Sequence, residues 1–510
     1  MNGALMKAAS RFTIAAAFGL VLGVSSAQAA DLGGNCCADL EERIADLEAT
    51  TARKGNRKMS LTITGQVHRM ILFWDDGRSS DAYYGIDNTN SSSRFSFTGT
   101  AKVTPTVSVG FDITIEIEAG GTSSKLSQFD EDGKLGAQIN GGFGASFNAS
   151  NVDAYFGDAR RAAWWIEDTR LGRLTVGRYE SAGAITTIDL AGIGAAASAS
   201  VILVNGGFLV RGPAGQYFGL NWGNLGDPAA NQGRTELVRW DSPTWQGFIL
   251  SASIGEAGDY WGVMLRYANE FNGVRVAAGI GYENATDTQT AVGCVGIANF
   301  PAVAPQSTAC VNPPGAGPAN LNDPALNGEV DAWGAGLSLL HVPSGLFVQG
   351  HYMAADFSGT GSTAYWGQVA NVGVVGGQKS DATQWLIQAG ITKNWFGIGN
   401  TALYAEYSRN NDWGAGNGIG RSYSVATIPG AVAVNGVTDT DMDVWGIGVV
   451  QNLDAAATEM YLAWRHFDTD VTCNGAVSGT GICAGAAGGP SKKLNTEDFD
   501  AIIAGARVKF

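Results

Sequence analysis

Apolar and polar residues alternate along many short segments of this chain. The segment VSVGFDITIEIEA, residues 107–119, carries an apolar residue at nearly every second position and places Asp112, Glu116 and Glu118 on the opposite face. Alternation with a period of two indicates a β-strand that has one apolar face. The pattern therefore predicts a protein built mainly from strands.

Sixteen such segments follow one another along the chain. They lie near residues 59–74, 93–103, 106–118, 160–168, 172–180, 234–241, 246–255, 259–268, 273–282, 329–340, 345–353, 381–393, 400–408, 441–451, 458–467 and 499–510. Even-numbered segments lead to the next through tight turns such as VTPT and DSPTW, whereas most odd-numbered segments lead into long loops. Short turns at one end and long loops at the other are typical of a bacterial outer-membrane barrel, whose turns lie in the periplasm.

The ends of the segments and the end of the chain support this interpretation. Aromatic rings that settle at the two membrane interfaces are expected near the segment ends. Such residues are Trp74, Trp164, Trp240, Trp245, Trp261, Tyr282, Trp333, Tyr352, Trp385, Trp395, Tyr407, Trp445 and Trp464. A sheet that spans hydrocarbon must also close on itself. We therefore expect the last segment to pair with the first and to turn Ile502, Ala504, Ala506, Val508 and Phe510 outward.

The predicted fold is all-β: a 16-stranded antiparallel transmembrane β-barrel with a short N-terminal helical segment. Residues 1–29 have the basic start, the apolar run FTIAAAFGLVLGV and the AQA site of a secretory signal peptide. Residues 30–58 are expected to lie in the periplasm, and residues 59–510 to form the barrel. The spacing of Leu40, Ile44, Leu47 and Thr51 fits either a three-stranded coiled coil or a single amphipathic helix beneath the barrel.

Charge and motifs exclude several function classes. The formal net charge is −15, which argues against nucleic acid as a partner. The four histidines have no metal-ligand spacing, and no GxSxG motif occurs. We expect no enzymatic activity, no metal and no cofactor. Sixteen strands leave a water-filled lumen, and its predicted lining includes Asp112, Glu116, Arg266, Arg275 and Arg465.

The cysteines are expected to pair, because the chain is predicted to leave the cytoplasm. Cys294 and Cys310 share one long loop, and Cys473 and Cys483 share another. We predict these two disulfides. The state of the adjacent Cys36 and Cys37 stays open.

Two stretches resemble a known family. The block CCADLEERIADLEATTARKGNRKMSLTITGQV, together with LTVGRYES before the longest loop, resembles the alphaproteobacterial general porins of the rhizobial type. This resemblance implies a trimer of sixteen-stranded barrels in which the third loop folds into the lumen. The terminal strand ending in Phe510 resembles the signal that outer-membrane barrels present to their insertion machinery.

The longest connection, residues 181–233, is expected to form the constriction of the channel. Its first half, SAGAITTIDLAGIGAAASAS, is too apolar for a loop standing in water and fits a loop folded back into the barrel. We expect Asp189 and Glu180 to face Arg178 and Arg161 across a narrow pore.

The position of Arg178 requires a further assumption. Strict alternation would turn its side chain toward lipid, together with Val176 and Leu174. A bulge at Gly177 is therefore expected to turn Arg178 into the lumen, since glycine is a common bulge residue.

Two functions are compatible with these patterns. The first is a pore for passive diffusion of small hydrophilic solutes and ions. The alternative is a substrate-selective channel with a saturable lumen site, for which Arg211, Tyr217 and Trp222 in the long loop are candidates.

Overall fold

The computed structural model describes residues 59–117, 121–129, 159–183, 188–197, 200–226, 234–255, 260–285, 329–358, 381–416, 421–423, 431–475, 481–484 and 490–510. Within these residues the strands are β1 (Ser60–Asp75), β2 (Ser80–Asp87), β3 (Arg94–Lys102), β4 (Val107–Glu116), β5 (Ala159–Asp168), β6 (Gly172–Glu180), β7 (Leu209–Arg211), β8 (Tyr217–Asn221), β9 (Arg234–Asp241), β10 (Phe248–Gly255), β11 (Tyr260–Phe271), β12 (Val274–Ala285), β13 (Glu329–His341), β14 (Leu346–Ser358), β15 (Asp381–Lys393), β16 (Thr401–Asn411), β17 (Arg421–Tyr423), β18 (Ala431–Leu453), β19 (Thr458–Asn474), β20 (Gly481–Ala484), β21 (Ser491–Leu494) and β22 (Phe499–Lys509). The helical turns in this part of the chain are of the 3₁₀ type: Thr89–Ser91, Ser123–Lys125, Val201–Leu203, Trp222–Asn224 and Asp454–Ala456.

Sixteen of these strands form a closed antiparallel barrel, which confirms the predicted fold class. In chain order they are β1, β3 to β6, β9 to β16, β18, β19 and β22. The barrel closes because β22 pairs with β1 over a register that runs from Gln66↔Lys509 to Asp75↔Asp500. A closed sheet of this kind leaves no unpaired edge between its first and last strands.

The two faces of the barrel wall follow the predicted alternation. Along β1, Leu61, Ile63 and Val67 are about half exposed on the outside, whereas Met70 and Leu72 are buried inside. On the closing strand Ile502, Val508 and Phe510 are exposed, and Ile503 is buried. Exposed apolar side chains on a continuous outer surface are incompatible with water around the barrel wall.

One end of the barrel has short turns and the other has long connections. We call them the turn end and the loop end. The turn end contains residues 103–106, 169–171, 242–247, 272–273, 342–345, 394–400 and 454–457. Apart from residues 256–259, the connections at the loop end are long, and they carry the added strands β2, β7, β8, β17, β20 and β21.

An aromatic belt covers part of the outside of the barrel near the loop end. Eight successive barrel strands contribute to it: Trp261, Tyr282, Trp333, Tyr352, Trp385, Tyr407, Trp445 and His466, on β11 to β16, β18 and β19. The ring centroids of Trp261 and Tyr282 are 5.3 Å apart, and those of Trp385 and Tyr407 are 5.0 Å apart. The predicted belt residue Trp74 is an exception. Its side chain is buried inside the barrel, because it shares the inward face of β1 with Met70 and Leu72.

Several predictions fall outside the described residues. These are the signal peptide at 1–29, the helical segment within 30–58, Cys36, Cys37 and the Cys294–Cys310 disulfide.

In the described residues, no helix has the length and apolar character needed to cross a membrane.

Candidate functional site

The loop between β6 and β9, residues 181–233, packs against the inner wall of the barrel in the parts that are described. Ile193, Ala195 and Ile202 are buried in the same apolar cluster as Met70 and Leu72 of β1. Further along the loop, aromatic side chains continue this contact with β19 and β22. The ring of Trp222 lies 5.8 Å from Phe467 and 5.9 Å from Phe499. Burial of this apolar loop against the wall explains why a stretch so poor in charge occurs between two strands.

A row of polar side chains lies beneath this loop, on the four neighbouring strands β13 to β16 and, beyond β18, on β19. Ser338 donates to Gln349 (3.2 Å), Gln349 to Gln388 (3.0 Å), and Gln388 to Glu406 (2.9 Å). Arg465 then donates from Nε to Glu406 (2.6 Å) and from Nη1 to the carbonyl of Val201 in the loop (3.4 Å). We call this row the polar ladder. The polar ladder pairs buried polar side chains with one another, and it contacts the loop through the hydrogen bond from Arg465 to Val201.

Asp189 lies within the loop and stabilises its local fold. Its carboxylate accepts backbone hydrogen bonds from Ala191 (3.0 Å), Gly192 (2.8 Å) and Gly194 (2.8 Å). Gln349 of the polar ladder also donates to it at 3.4 Å. No contact between Asp189 and the arginines of β5 or β6 occurs in the described residues. A role for Asp189 as a charge that faces Arg161 across the pore stays a prediction.

The loop hairpin formed by β7 and β8 is held from two directions. Gln128 donates from Nε2 to the carbonyl of Leu209 (2.8 Å) and accepts from its backbone N–H (2.9 Å). Arg211 donates to Asp76 at 3.2 Å and stacks over the ring of Tyr217, 3.9 Å from its centroid. Trp222 is buried as well. Arg211, Tyr217 and Trp222 were the candidates for a saturable lumen site, and all three make contacts within the protein.

A charged wall occupies the inner face of β4, β5 and β6. Arg161 donates from Nε to Glu180 (2.8 Å) and from Nη1 to Asp112 (3.1 Å). Arg160 pairs with Glu116. Glu180 and Arg161 were expected to face each other across the pore, but they lie on adjacent strands and form an ion pair on one wall.

The register explains how two consecutive arginines reach the lumen. Thr114 pairs with Arg161 and Ile115 pairs with Ala159, so Arg160 is an extra residue in β5. A β-bulge lets adjacent residues point to one side. The bulge was predicted one strand further on, at Gly177.

The structure contradicts the predicted inward turn of Arg178. The register through Gly177 is continuous, and Arg178 lies opposite Glu236 of β9. Glu236 alternates with Leu237, which is buried inside, and shares the outer face with Val238. Arg178 is therefore on the outer face, where its Nε donates to the carbonyl of Ala159 at 2.8 Å.

A second group of charges lies nearer the turn end. Arg239 and Arg266 both donate to Asp241, at 2.7 Å and 2.6 Å. Arg173 stacks over Trp165, with 4.2 Å between its guanidinium carbon and the ring centroid. Arg266 was among the predicted lining residues, whereas Arg239 and Asp241 were not. Because Val238 and Trp240 are apolar, the alternation within segment 234–241 was sufficient to place Arg239 and Asp241 inside.

Arg275 differs from the other predicted lining residues. It pairs with Glu270 at 2.9 Å beside the turn 272–273, and both side chains are more than two fifths exposed. Its place is the rim at the turn end. It does not belong to either charged group.

The Cys473–Cys483 disulfide is present, as predicted. Both cysteines are fully buried in the apolar cluster that includes the long loop.

Comparisons with known proteins add limited information. No protein-family model and no curated protein matches the sequence. The solved structures that are similar in fold include the anion-selective porin from Comamonas acidovorans, with 15% identity, a TM-score of 0.46, and coverage of 89% of this chain and 100% of that one. OmpT, an outer membrane protein of Vibrio cholerae, has 11% identity and a TM-score of 0.44, with coverage of 90% and 99%. The outer membrane channel DcaP of Acinetobacter baumannii has 10% identity and a TM-score of 0.40, with the same coverage. Because the identities are 15% or less and the TM-scores are below 0.5, these structures carry no argument about function.

Proposed function

We propose that this protein is a porin of the bacterial outer membrane, through which small hydrophilic solutes and ions diffuse passively. The observation that carries the proposal is the closed barrel of sixteen strands whose outer wall is apolar and whose inner wall is charged. A barrel of this size is wide enough to hold an aqueous channel.

The aromatic belt supports insertion in a membrane. Tryptophan and tyrosine alternate on neighbouring strands at one height, from Trp261 on β11 to Trp445 on β18. Their rings have an apolar body and a polar edge, which suits the boundary between hydrocarbon and headgroups. The loop end then lies outside the cell and the turn end in the periplasm.

The aqueous path is proposed to run between the long loop and the strands that carry the charged wall and the second group of charges. The loop packs on β1, β18, β19 and β22, whereas the ion pairs of Arg161 and Arg239 lie on β5, β6 and β9. On the charged wall, carboxylates and arginines are paired side by side. Such pairs act on passing ions at short range and favour neither sign strongly.

The protein is proposed to form a homotrimer, because the aromatic belt covers only part of the circumference. The belt steps by two residues at each turn-end hairpin, since Trp261 pairs with Asn284 and the next ring is Tyr282. The same step leads from Ile254 on β10, which pairs with Trp261, past its partner Val238 to Glu236 on β9, and Glu236 pairs with Arg178 on β6. Where the other strands present aromatic rings to the membrane interface, this sector presents two charged side chains. A second copy of the chain would satisfy them, so this sector is the proposed subunit contact. The resemblance of the N-terminal block to rhizobial-type porins agrees with this proposal.

Liposome swelling tests the transport function. Vesicles containing the protein should swell in a graded series of uncharged sugars, faster for smaller sugars and without saturation. Vesicles without protein are the control. Swelling confined to one solute class, with saturable kinetics, would replace the proposal with a selective channel.

A further inference from the structure

We propose that the Cys473–Cys483 disulfide positions the long loop, residues 181–233, so that the current through the pore depends on whether this bond is intact. This inference rests on the proposed channel function. It concerns the part of the sheet that continues beyond the barrel at the loop end.

β18 is the strand that connects the disulfide to the loop. Its pairing with β16 begins at Asp441, so residues 431–440 extend past the barrel. Ala431 and Val432 pair in parallel with Tyr217 and Phe218 of the loop strand β8. The next residues along β18, from Ala433 to Asn435, pair in parallel with β20. One strand extension thus carries both the loop hairpin and β20.

The disulfide fixes β20 to the end of β19. Cys473 lies on β19, opposite Val437 of the same β18 extension, and Cys483 lies on the four-residue strand β20. Few backbone hydrogen bonds form along so short a parallel pairing, which is a weak unit by itself. The covalent bond supplies the constraint that the pairing lacks.

Packing connects the disulfide with the loop. Cys473, Cys483, Val434 and Phe218 are each at most 1% exposed. They belong to one apolar cluster with Trp222, which packs against the barrel wall. Cleavage of the bond would free β20, uncover the end of β18 and loosen its pairing with β8. Weakly held segments of this kind open locally while the rest of the fold persists.

Single-channel recording with matched variants tests the proposal. The reference protein and all variants carry Cys36→Ser, Cys37→Ser, Cys294→Ser and Cys310→Ser, so that Cys473 and Cys483 alone respond to reductant. The test variant adds Cys473→Ser and Cys483→Ser. A parallel sample of the reference protein is treated with dithiothreitol, which becomes a cyclic disulfide while Cys473 and Cys483 take up two electrons and two protons as thiols. Thiol labelling establishes the reduction before recording.

The reference protein should show one stable conductance level. Loss of the disulfide, by substitution or by reduction, should replace it with a noisy current and frequent transitions between levels. Val432→Pro, which disturbs the pairing between β18 and β8 directly, should produce the same noise with the disulfide intact. If the test variant fails to assemble, the reduced reference channel decides the question. A stable, unchanged level after verified reduction would overturn the proposal. Absence of any current from the oxidised reference protein would instead contradict the channel function.

Discussion

Phe510, the last residue of the chain, exchanges two backbone hydrogen bonds with Gly65 on the first strand. Gly65 donates its N–H to the carbonyl of Phe510 at 2.9 Å, and Phe510 donates its N–H to the carbonyl of Gly65 at 3.1 Å. The phenylalanine ring lies directly over Gly65, so that a Cβ at this position would overlap the ring. The first and last strands of the barrel therefore fit together through one glycine and one aromatic residue.

Gly65→Val is expected to reduce the amount of closed barrel, because the added side chain overlaps the ring of Phe510. Heat-modifiable migration on detergent gels measures the closed fraction. Phe510→Ala combined with Gly65→Ala should restore part of what Gly65→Ala loses alone, since one of the two overlapping groups is removed. Equal loss in both proteins would show that the ring does not set this constraint. Val67→Ala, on the exposed face of β1, is the control.

Deletion of Phe510 is expected to lower the level of assembled protein in the outer membrane and to leave its secretion unchanged. The ring is about two thirds exposed on the outside of the barrel, so it contributes little to the core and is accessible for recognition. Quantitative surface labelling against total periplasmic protein separates the two effects. Normal surface levels would make the terminal aromatic incidental.

Glu406→Gln is expected to destabilise the polar ladder. Arg465 would then remain buried without its countercharge, and breaking a buried pair in this way costs about 3–5 kcal/mol. Because Arg465 also donates to Val201 of the loop, the channel should become noisier. The matched control is Glu270→Gln, which breaks the exposed pair with Arg275 and should cost about 0–1 kcal/mol. Equal stability loss in the two variants would contradict the assigned role of the ladder.

Asp189→Ala is expected to change the loop more than the ion preference. The substitution removes the acceptor for three backbone N–H groups, whereas Asp189→Asn keeps one oxygen acceptor. Current noise should therefore rise from wild type to Asp189→Asn to Asp189→Ala. A shift of reversal potential without added noise would contradict this structural role and support Asp189 as a charge at the constriction.

Arg161→Gln should shift the reversal potential toward cations, and Glu180→Gln should shift it toward anions, since each leaves its partner on the charged wall uncompensated. Arg178→Gln is the matched control. Its side chain lies on the outer face, so its removal should leave the reversal potential unchanged. If Arg178→Gln has the largest effect, the proposed path is in the wrong place.

The barrel was predictable from the sequence because lipid and water impose opposite demands on alternate residues of each strand. That alternation identified β1, β4 and β22 and their inner and outer faces. The aromatic belt prediction misplaced Trp74, because an aromatic residue near a strand end lies at the membrane interface only if its side chain is on the outer face of the strand. The bulge was assigned to Gly177 from residue type, but bulges depend on pairing between strands, and the extra residue is Arg160.

The loops were less predictable, because their structure depends on distant partners. β18 was expected over 441–451 and covers Ala431–Leu453, since its extension pairs with β8 and β20 from elsewhere in the chain. The capping role of Asp189 depends on the local fold of the loop, which its apolar sequence does not reveal. Only the burial of the loop followed from composition.

Conductance of the purified protein in planar bilayers tests the central claim most directly. A water-filled pore should insert in discrete current steps, with a linear current–voltage relation and a conductance that rises in proportion to salt concentration. Insertion without current steps, or a conductance that saturates at low salt, would contradict a pore for passive diffusion.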